Sequence, residues 1–258
     1  MKWRVIGLET ADAFTNMAID NVIVKAVEAG NSLPTIRFYK WNPHALSIGN
    51  DQAETDIDLD YCRRNNIDVV RRLTLRSGVY HPVHDFTYSV IMPLTDRPFH
   101  KQIFKIKMNV NTWVVNAFIN MGINAYLHGK NNDVMVENKK ISGNTCVATG
   151  TIPAAATVFL QQGTLIHSLN YGIMSRIFMV SPGVILKKVT SISEHVNLSE
   201  KSIYECIKKG FLEGKEYENG RLSGDELKRL PEIVNSYKDI SISRYNKKAL
   251  GACYLHIG

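Results

Sequence analysis

The feature that most limits the fold of this chain is the order in which two periodicities follow one another. Aromatic and β-branched stretches recur at PTIRFYKW (34–41), HALSIGN (44–50), IDVVRRLT (67–74), FTYSVIMP (86–93) and TVFLQQGTLI (157–166). Such stretches suit a pleated, half-buried surface and read as strands. Between them stand helical patterns of very different length. ADAFTNMAIDNVIVKAVEAGN (11–31) places Phe14, Ala18, Val22 and Ala26 on one stripe, with Ile19 and Ile23 beside it. FHKQIFKIKMNVNTWVVNAFINMG (99–122) carries Ile103, Ile106, Val110, Trp113, Ala117 and Met121, and stops at Gly122. WRVIGLE (3–9) reads as a first strand, DIDLDYCRRNN (56–66) as a short helix and GACYLHI (251–257) as a last strand. Strands and helices do not alternate as βαβ units, so the fold class is α+β, with mixed or antiparallel sheets flanked by helices.

DVMVENKKISGN (133–144) reads as a hairpin turning at ENK. On its return arm Lys140 and Ser142 share a face by strand alternation, and Asn132 and Asp133 begin the first arm. A lysine at that place could stabilise charge developing on a carbonyl or phosphate oxygen, and Asp133 could hold magnesium or take a proton. The plain alternative is a solvated hairpin tip. RRLTLRSGVYH (71–81) concentrates Arg71, Arg72 and Arg76 before Gly78 and His81. In a strand Arg71 and Arg72 point to opposite faces, so one lies toward the interior and needs an anionic or carbonyl partner. An internal salt bridge accounts for it equally well.

The 258 residues suffice for one large domain or a domain with a small appendage. The formal charge of +7 favours acidic partners without naming them. No aromatics interleave with the cations, which disfavours nucleic acid. The four cysteines have neither metal-ligand nor redox-motif spacing, pointing to reduced thiols in a cytoplasm. No signal-peptide pattern opens the chain and no apolar run could span a bilayer, so the expectation is a soluble cytoplasmic protein without membrane contact. P-loop and dinucleotide fingerprints are absent from the sequence.

Five stretches in order resemble one family, the lipoate–protein ligases and octanoyltransferases, which share a fold with biotin–protein ligase. They are AFTNMAIDNVI, PTIRFYKWNPHALSIGNDQ, VVRRLTLRSGVYH, NDVMVENKKISGN and LQQGTLIHSLNYGIM. The resemblance implies a catalytic domain over residues 1–200 and a C-terminal helical extension over 201–258, with no complete accessory domain. It implies ATP-dependent attachment of lipoate, or a related medium-chain acid, to a lysine of a lipoyl carrier domain through an acyl-adenylate. ATP and Mg2+ would be co-substrate and ion, with no tightly bound cofactor; the partner is the carrier domain, and either a separate accessory ligase subunit assists activation or the chain transfers an acyl group already activated elsewhere. Lys140 takes the catalytic role. Asn132, Asp133, Ser142 and Gly143 fall at the nucleotide, with magnesium on Asp133. Arg72, Leu75, Arg76, Ser77, Gly78 and His81 fall at the acyl substrate.

The chain departs from the family at its glycine loop, where Leu75, Arg76 and Ser77 replace three glycines. Pro82 stands in place of an aspartate, and His84-Asp85 in place of Gly-Asn. A different acyl group, a different loop conformation with Arg76 supplying charge, and lost activity would each account for this. Acyl transfer without adenylation, and a catalytically impaired carrier-binding or regulatory relative, are the alternatives. Cys146 is the thiol nearest the hairpin, but it does not match the usual cysteine of the transferases.

Overall fold

The computed structural model describes residues 1–53, 57–95, 99–129, 133–150 and 158–242. The main sheet has eight strands in the order β11-β1-β2-β6-β10-β9-β8-β7. These are β1 (Trp3–Ala11), β2 (Thr35–Trp41), β6 (Phe86–Pro93), β7 (Tyr126–Leu127), β8 (Val134–Val136), β9 (Lys139–Thr149), β10 (Val158–Leu165) and β11 (Tyr217–Gly220). Strands β11, β1 and β2 run parallel; β2, β6, β10, β9, β8 and β7 pair antiparallel in turn. A second sheet of three strands has the order β4-β3-β5, from β3 (Ala45–Ile48), β4 (Asp68–Arg71) and β5 (Val79–His81). This is the mixed, helix-flanked α+β architecture read from the sequence.

Strand alternation decides which helix covers which face. Along β2, Ile36 and Phe38 enter a core with α3 (Phe99–Asn120) and α6 (Glu200–Leu212), which supply Val110, Val114, Phe118, Ile207 and Phe211. Tyr39 and Trp41 of the same strand face the other core, where α1 (Ala13–Glu28) lies. α1 begins at Asp12, whose carboxylate accepts the Thr15 N–H at 2.7 Å, one of the donors a helix start leaves unpaired. The helix is buried well beyond the one-sided stripe of its sequence pattern, since Met17, Val24 and Val27 are covered as well. The cause is α7 (Gly224–Ile242), whose Ile233 and Tyr237 join the α1 core.

The described residues after 200 thus continue the same sheet and cores. They contain a strand as well as helices: β11 lies beside β1, and Arg4 of β1 donates two 2.8 Å hydrogen bonds to the Glu226 carboxylate of α7. The strand expected at 251–257 lies outside the described residues. The small sheet packs with α2 (Leu59–Arg64) and α4 (Tyr171–Ile177) around Leu46, Ile48, Cys62, Tyr80 and Ile177. A further helix, α5 (Pro182–Lys188), leads to Val189, which forms a parallel bridge with Lys140. Among the described residues, no helix is long and apolar enough to cross a membrane.

Candidate active site

Two clefts open where the small sheet meets β9 and β10, and Lys140 lines both. The larger, about 270 Å3, is bordered by Trp41, Arg72, Arg76, His81, Asp133 and Gln162 among others. The smaller, about 160 Å3, is mainly apolar, with Val79, Tyr80, Ile166, Leu169, Met174 and Phe178 on its walls. Gly78, Val79, Gly143 and Thr164 line both clefts as Lys140 does, so the amine stands at their seam.

The hairpin that holds Lys140 turns through Glu137 and Asn138, both at positive φ (50° and 62°), the geometry of a two-residue turn that matches strand twist. Its register shifts between Val134 and Met135: Lys140 pairs with Met135, yet Ser142 pairs with Val134. One residue more is therefore used on β9 than on β8, which is a β-bulge at Ile141. The bulge breaks the alternation that would put Lys140 and Ser142 on one face. Ser142 is fully buried and lines neither cleft, and its hydroxyl has no hydrogen-bond partner among the described residues. Ser142, expected at a nucleotide, is thus not brought to the clefts with Lys140. Gly143 comes to the cleft instead, and the lysine side chain lies across it: a Cβ there would sit 2.7 Å from Lys140 Cε and 2.9 Å from Nζ. Lys140 Nζ stands 3.2 Å from Asp133 Oδ1, with 37% of the lysine side chain and 23% of the aspartate exposed. Asn132 lies outside the described residues. No group of three or more His, Cys, Asp or Glu gathers as a metal site among the described residues. Asp133 is a single carboxylate, enough for a magnesium ion whose other ligands are phosphate oxygens and water.

Both Arg71 and Arg72 are buried, and both have carbonyl partners. Arg71 donates to the carbonyls of Gly49 and Gln52 at 2.7 and 2.9 Å. Arg72 donates to Ser47 O at 2.8 Å, to Thr74 Oγ1 at 3.0 Å, and to the carbonyls of Leu75, Arg76 and Ser77 at 2.6, 3.2 and 2.9 Å. Its guanidinium holds the rewritten loop through these acceptors, while the residue also lines the larger cleft. Burial pushes its pKa down from the ordinary arginine value to about 10, which leaves it charged at neutral pH. Leu75 O also accepts from Thr145 of β9 at 3.2 Å. The loop rests on Gly49, whose missing side chain is required: a Cβ there would meet Arg76 O at 1.8 Å. Arg76, Ser77 and Gly78 line the larger cleft, whereas Leu75 lines neither, its carbonyl being held by Arg72 and Thr145.

His81 is stacked on Trp41 with ring centroids 4.3 Å apart and planes 17° from parallel. Its Nε2 lies 2.8 Å from Ser47 Oγ and its Nδ1 3.3 Å from Thr164 Oγ1. Burial, helped by the charge of Arg72, drops its pKa to about 3, so at neutral pH the ring is an uncharged wall of the cleft. The sequence reading missed a polar network that reaches the larger cleft at Gln162. Arg37 donates to Asp20 Oδ1 at 2.9 Å, and Asp20 Oδ2 accepts from Gln162 at 2.7 Å. Gln162 Oε1 accepts from Thr74 at 2.8 Å, and Thr74 in turn receives Arg72. This chain of bonds ties α1, β2, β10 and the loop into one rigid unit. A buried aspartate in an apolar helix was the available signal.

No thiol lines either cleft among the described residues. Cys62 is in the core of the small sheet, Cys206 donates to Asn120 O from α6 at 3.3 Å, and Cys146 of β9 lies outside both linings. Burial raises the Cys146 pKa, opposed by the charges of Lys107 and Arg76.

The family model of the lipoyl protein ligase A/B catalytic domain matches residues 12–212. The chain belongs to this family. Curated relatives include octanoyltransferase LipM of Clostridioides difficile (strain 630), 28% identical over 96% of this chain and 99% of the relative. The LipM of Staphylococcus aureus (strain NCTC 8325 / PS 47) is 24% identical over 92% and 96%. Solved structures include a lipoate-protein ligase A bound with ATP, with TM-score 0.79 and 22% identity, covering 91% of this chain and 95% of that one. The bi-partite lipoate protein ligase of Thermoplasma acidophilum superposes with TM-score 0.80 at 21% identity, covering 95% and 99%; these two structures speak for the fold. Family and relatives together make the chain an enzyme of the lipoyl- or octanoyl-transfer kind.

Proposed function

We propose that this enzyme transfers an octanoyl or lipoyl group from a thioester donor to a lysine amine of a lipoyl carrier domain, without adenylation. The observation that carries the reading is Lys140 at the seam of a cationic cleft and an apolar one. Relatives aligned over nearly the whole chain and named octanoyltransferase favour the thioester over the adenylate. An acyl group placed on Lys140 itself would be an amide, too stable to pass to a second amine. Lys140 therefore acts as an ammonium that hydrogen-bonds the thioester carbonyl and stabilises the charge that grows on its oxygen. The neutral carrier amine attacks the carbonyl carbon, the N–C bond forms and the C–S bond breaks. The proton lost by the attacking nitrogen leaves with the thiolate. The uncharged His81 and stacked Trp41 exclude water from the acyl group.

The second reading is ATP-dependent ligation, favoured by one observation: the Asp133 carboxylate stands beside Lys140 in the larger cleft, where a magnesium-bound phosphate could use it. There ATP and magnesium would meet Lys140 and Asp133, with Arg76, Ser77 and Gly78 around the acyl-adenylate. An accessory subunit would be a second chain assisting adenylation. The test supplies a purified lipoyl domain and follows its mass with octanoyl thioester, and separately with octanoate or lipoate, ATP and Mg2+. Modification from the thioester alone, lost in Lys140→Ala, supports the transferase. Modification with pyrophosphate release only in the ATP arm gives the ligase. A carrier that binds but is never modified sinks both and leaves a regulatory relative.

A further inference from the structure

The loop that replaces the family's glycines leaves one cation unspent. Arg76 sits at φ +76°, a left-handed conformation that a side chain bearing Cβ disfavours. Its backbone is clamped from three sides. The N–H donates to Asp51 Oδ1 at 2.9 Å, the carbonyl accepts from Arg72 at 3.2 Å, and the peptide lies against Gly49. Arg76 lines the larger cleft as an exposed residue, and its guanidinium has no hydrogen-bond or ion-pair partner among the described residues. Of the other charged groups lining that cleft, Arg72 is consumed by carbonyls, and Lys140 is paired with Asp133. Three cations thus face one carboxylate, and His81 adds no charge. A cleft so composed favours an anion, and the planar fork of an arginine matches phosphate oxygens two at a time.

We propose that Arg76 recognises a phosphate carried by the acyl donor, as a specificity-determining residue that works beside Lys140. The inference rests on the acyl-transfer reading and deepens it. Lys140 meets the carbonyl that reacts, and Arg76 meets an anion that does not. Two donors carry such a phosphate, the phosphopantetheine arm of an acyl thioester and the adenylate of an activated acid. The shared chemistry is the phosphate ester.

Binding isotherms separate the sources without requiring turnover. The full chain is titrated with 4′-phosphopantetheine and with pantetheine, and in a second arm with AMP and with adenosine. In at least one arm the phosphorylated member is expected to bind about tenfold tighter or more, the worth of a charge-assisted hydrogen bond. That ratio should fall to near one in Arg76→Gly and survive in part in Arg76→Lys. Glycine suits φ +76°, so this variant keeps the backbone and removes only the side chain. The arm that responds names the donor. Equal affinities in both arms, no binding of any of the four, or a ratio unchanged in Arg76→Gly overturns the proposal. Acyl transfer to the carrier, measured in parallel with wild type, reports on the proposed function separately.

Discussion

Gly49→Ala tests whether the Leu75-Arg76-Ser77 loop is held by contact with the small sheet. A Cβ at residue 49 would lie 1.8 Å from Arg76 O and 2.8 Å from its C and N atoms, where real Cβ contacts essentially never fall below 3.0 Å. The loop must therefore retreat by about 1.2 Å, since every atom met is backbone and none can rotate away. Arg72 holds that loop through bonds of 2.6, 3.2 and 2.9 Å, and such a retreat stretches them past hydrogen-bond range. Losing bonds of this kind at about 1 kcal/mol each gives a destabilisation of about 3 kcal/mol. Residue 49 has no positive φ, so alanine itself brings no backbone penalty. Urea unfolding measures the loss, and acyl transfer measures its effect on the cleft, where KM should rise because Arg76, Ser77 and Gly78 move with the loop. Gly183→Ala is the control, because nothing lies within 4 Å of a Cβ there. A Gly49→Ala protein within 0.5 kcal/mol of wild type, with unchanged KM, would refute the clamp.

Three further substitutions probe separate parts of the site and frame. Gly143→Ala should push the Lys140 ammonium aside and lower kcat more than tenfold, with under about 1 kcal/mol lost in urea because the displaced atoms end a flexible side chain. His81 takes up a proton in the unfolded chain near its ordinary pKa but in the folded one only near 3, so stability drains as pH falls through that window. The wild-type curve should drop about 1.4 kcal/mol per pH unit more steeply than that of His81→Gln below pH 6, and parallel curves would contradict a buried neutral ring. Glu226→Ala strands the buried Arg4 guanidinium and should cost about 3 kcal/mol in thermal or urea unfolding; a loss below 1 kcal/mol would mean that α7 is not anchored by this pair.

The sequence by itself determined the elements whose signal is local. The periods of β2, β6, β10 and α3 follow from strand and helix geometry, and their segments lie where the pattern put them. Five ordered motifs determined the family. Lys140, Arg76, Gly78, His81, Asp133 and Gly143 do gather at the clefts, although what each does there is for experiment. Only tertiary structure decided the rest. Whether Ser142 faces the cleft depends on a bulge set by pairing with β8, and strand alternation within β9 cannot reveal a residue left over across the ladder. Arg72 shows a charge suited to an anion, but its partners are carbonyls brought in by folding of the loop after it. Short β5, β7 and β11 carry too few residues for a period, and take their form from the strands beside them. The burial of α1 beyond its predicted stripe required α7, which comes from the other end of the described chain. Local backbone geometry writes itself into residue spacing, whereas register, bulges and the partner of a buried charge are fixed by contacts between segments that no spacing records.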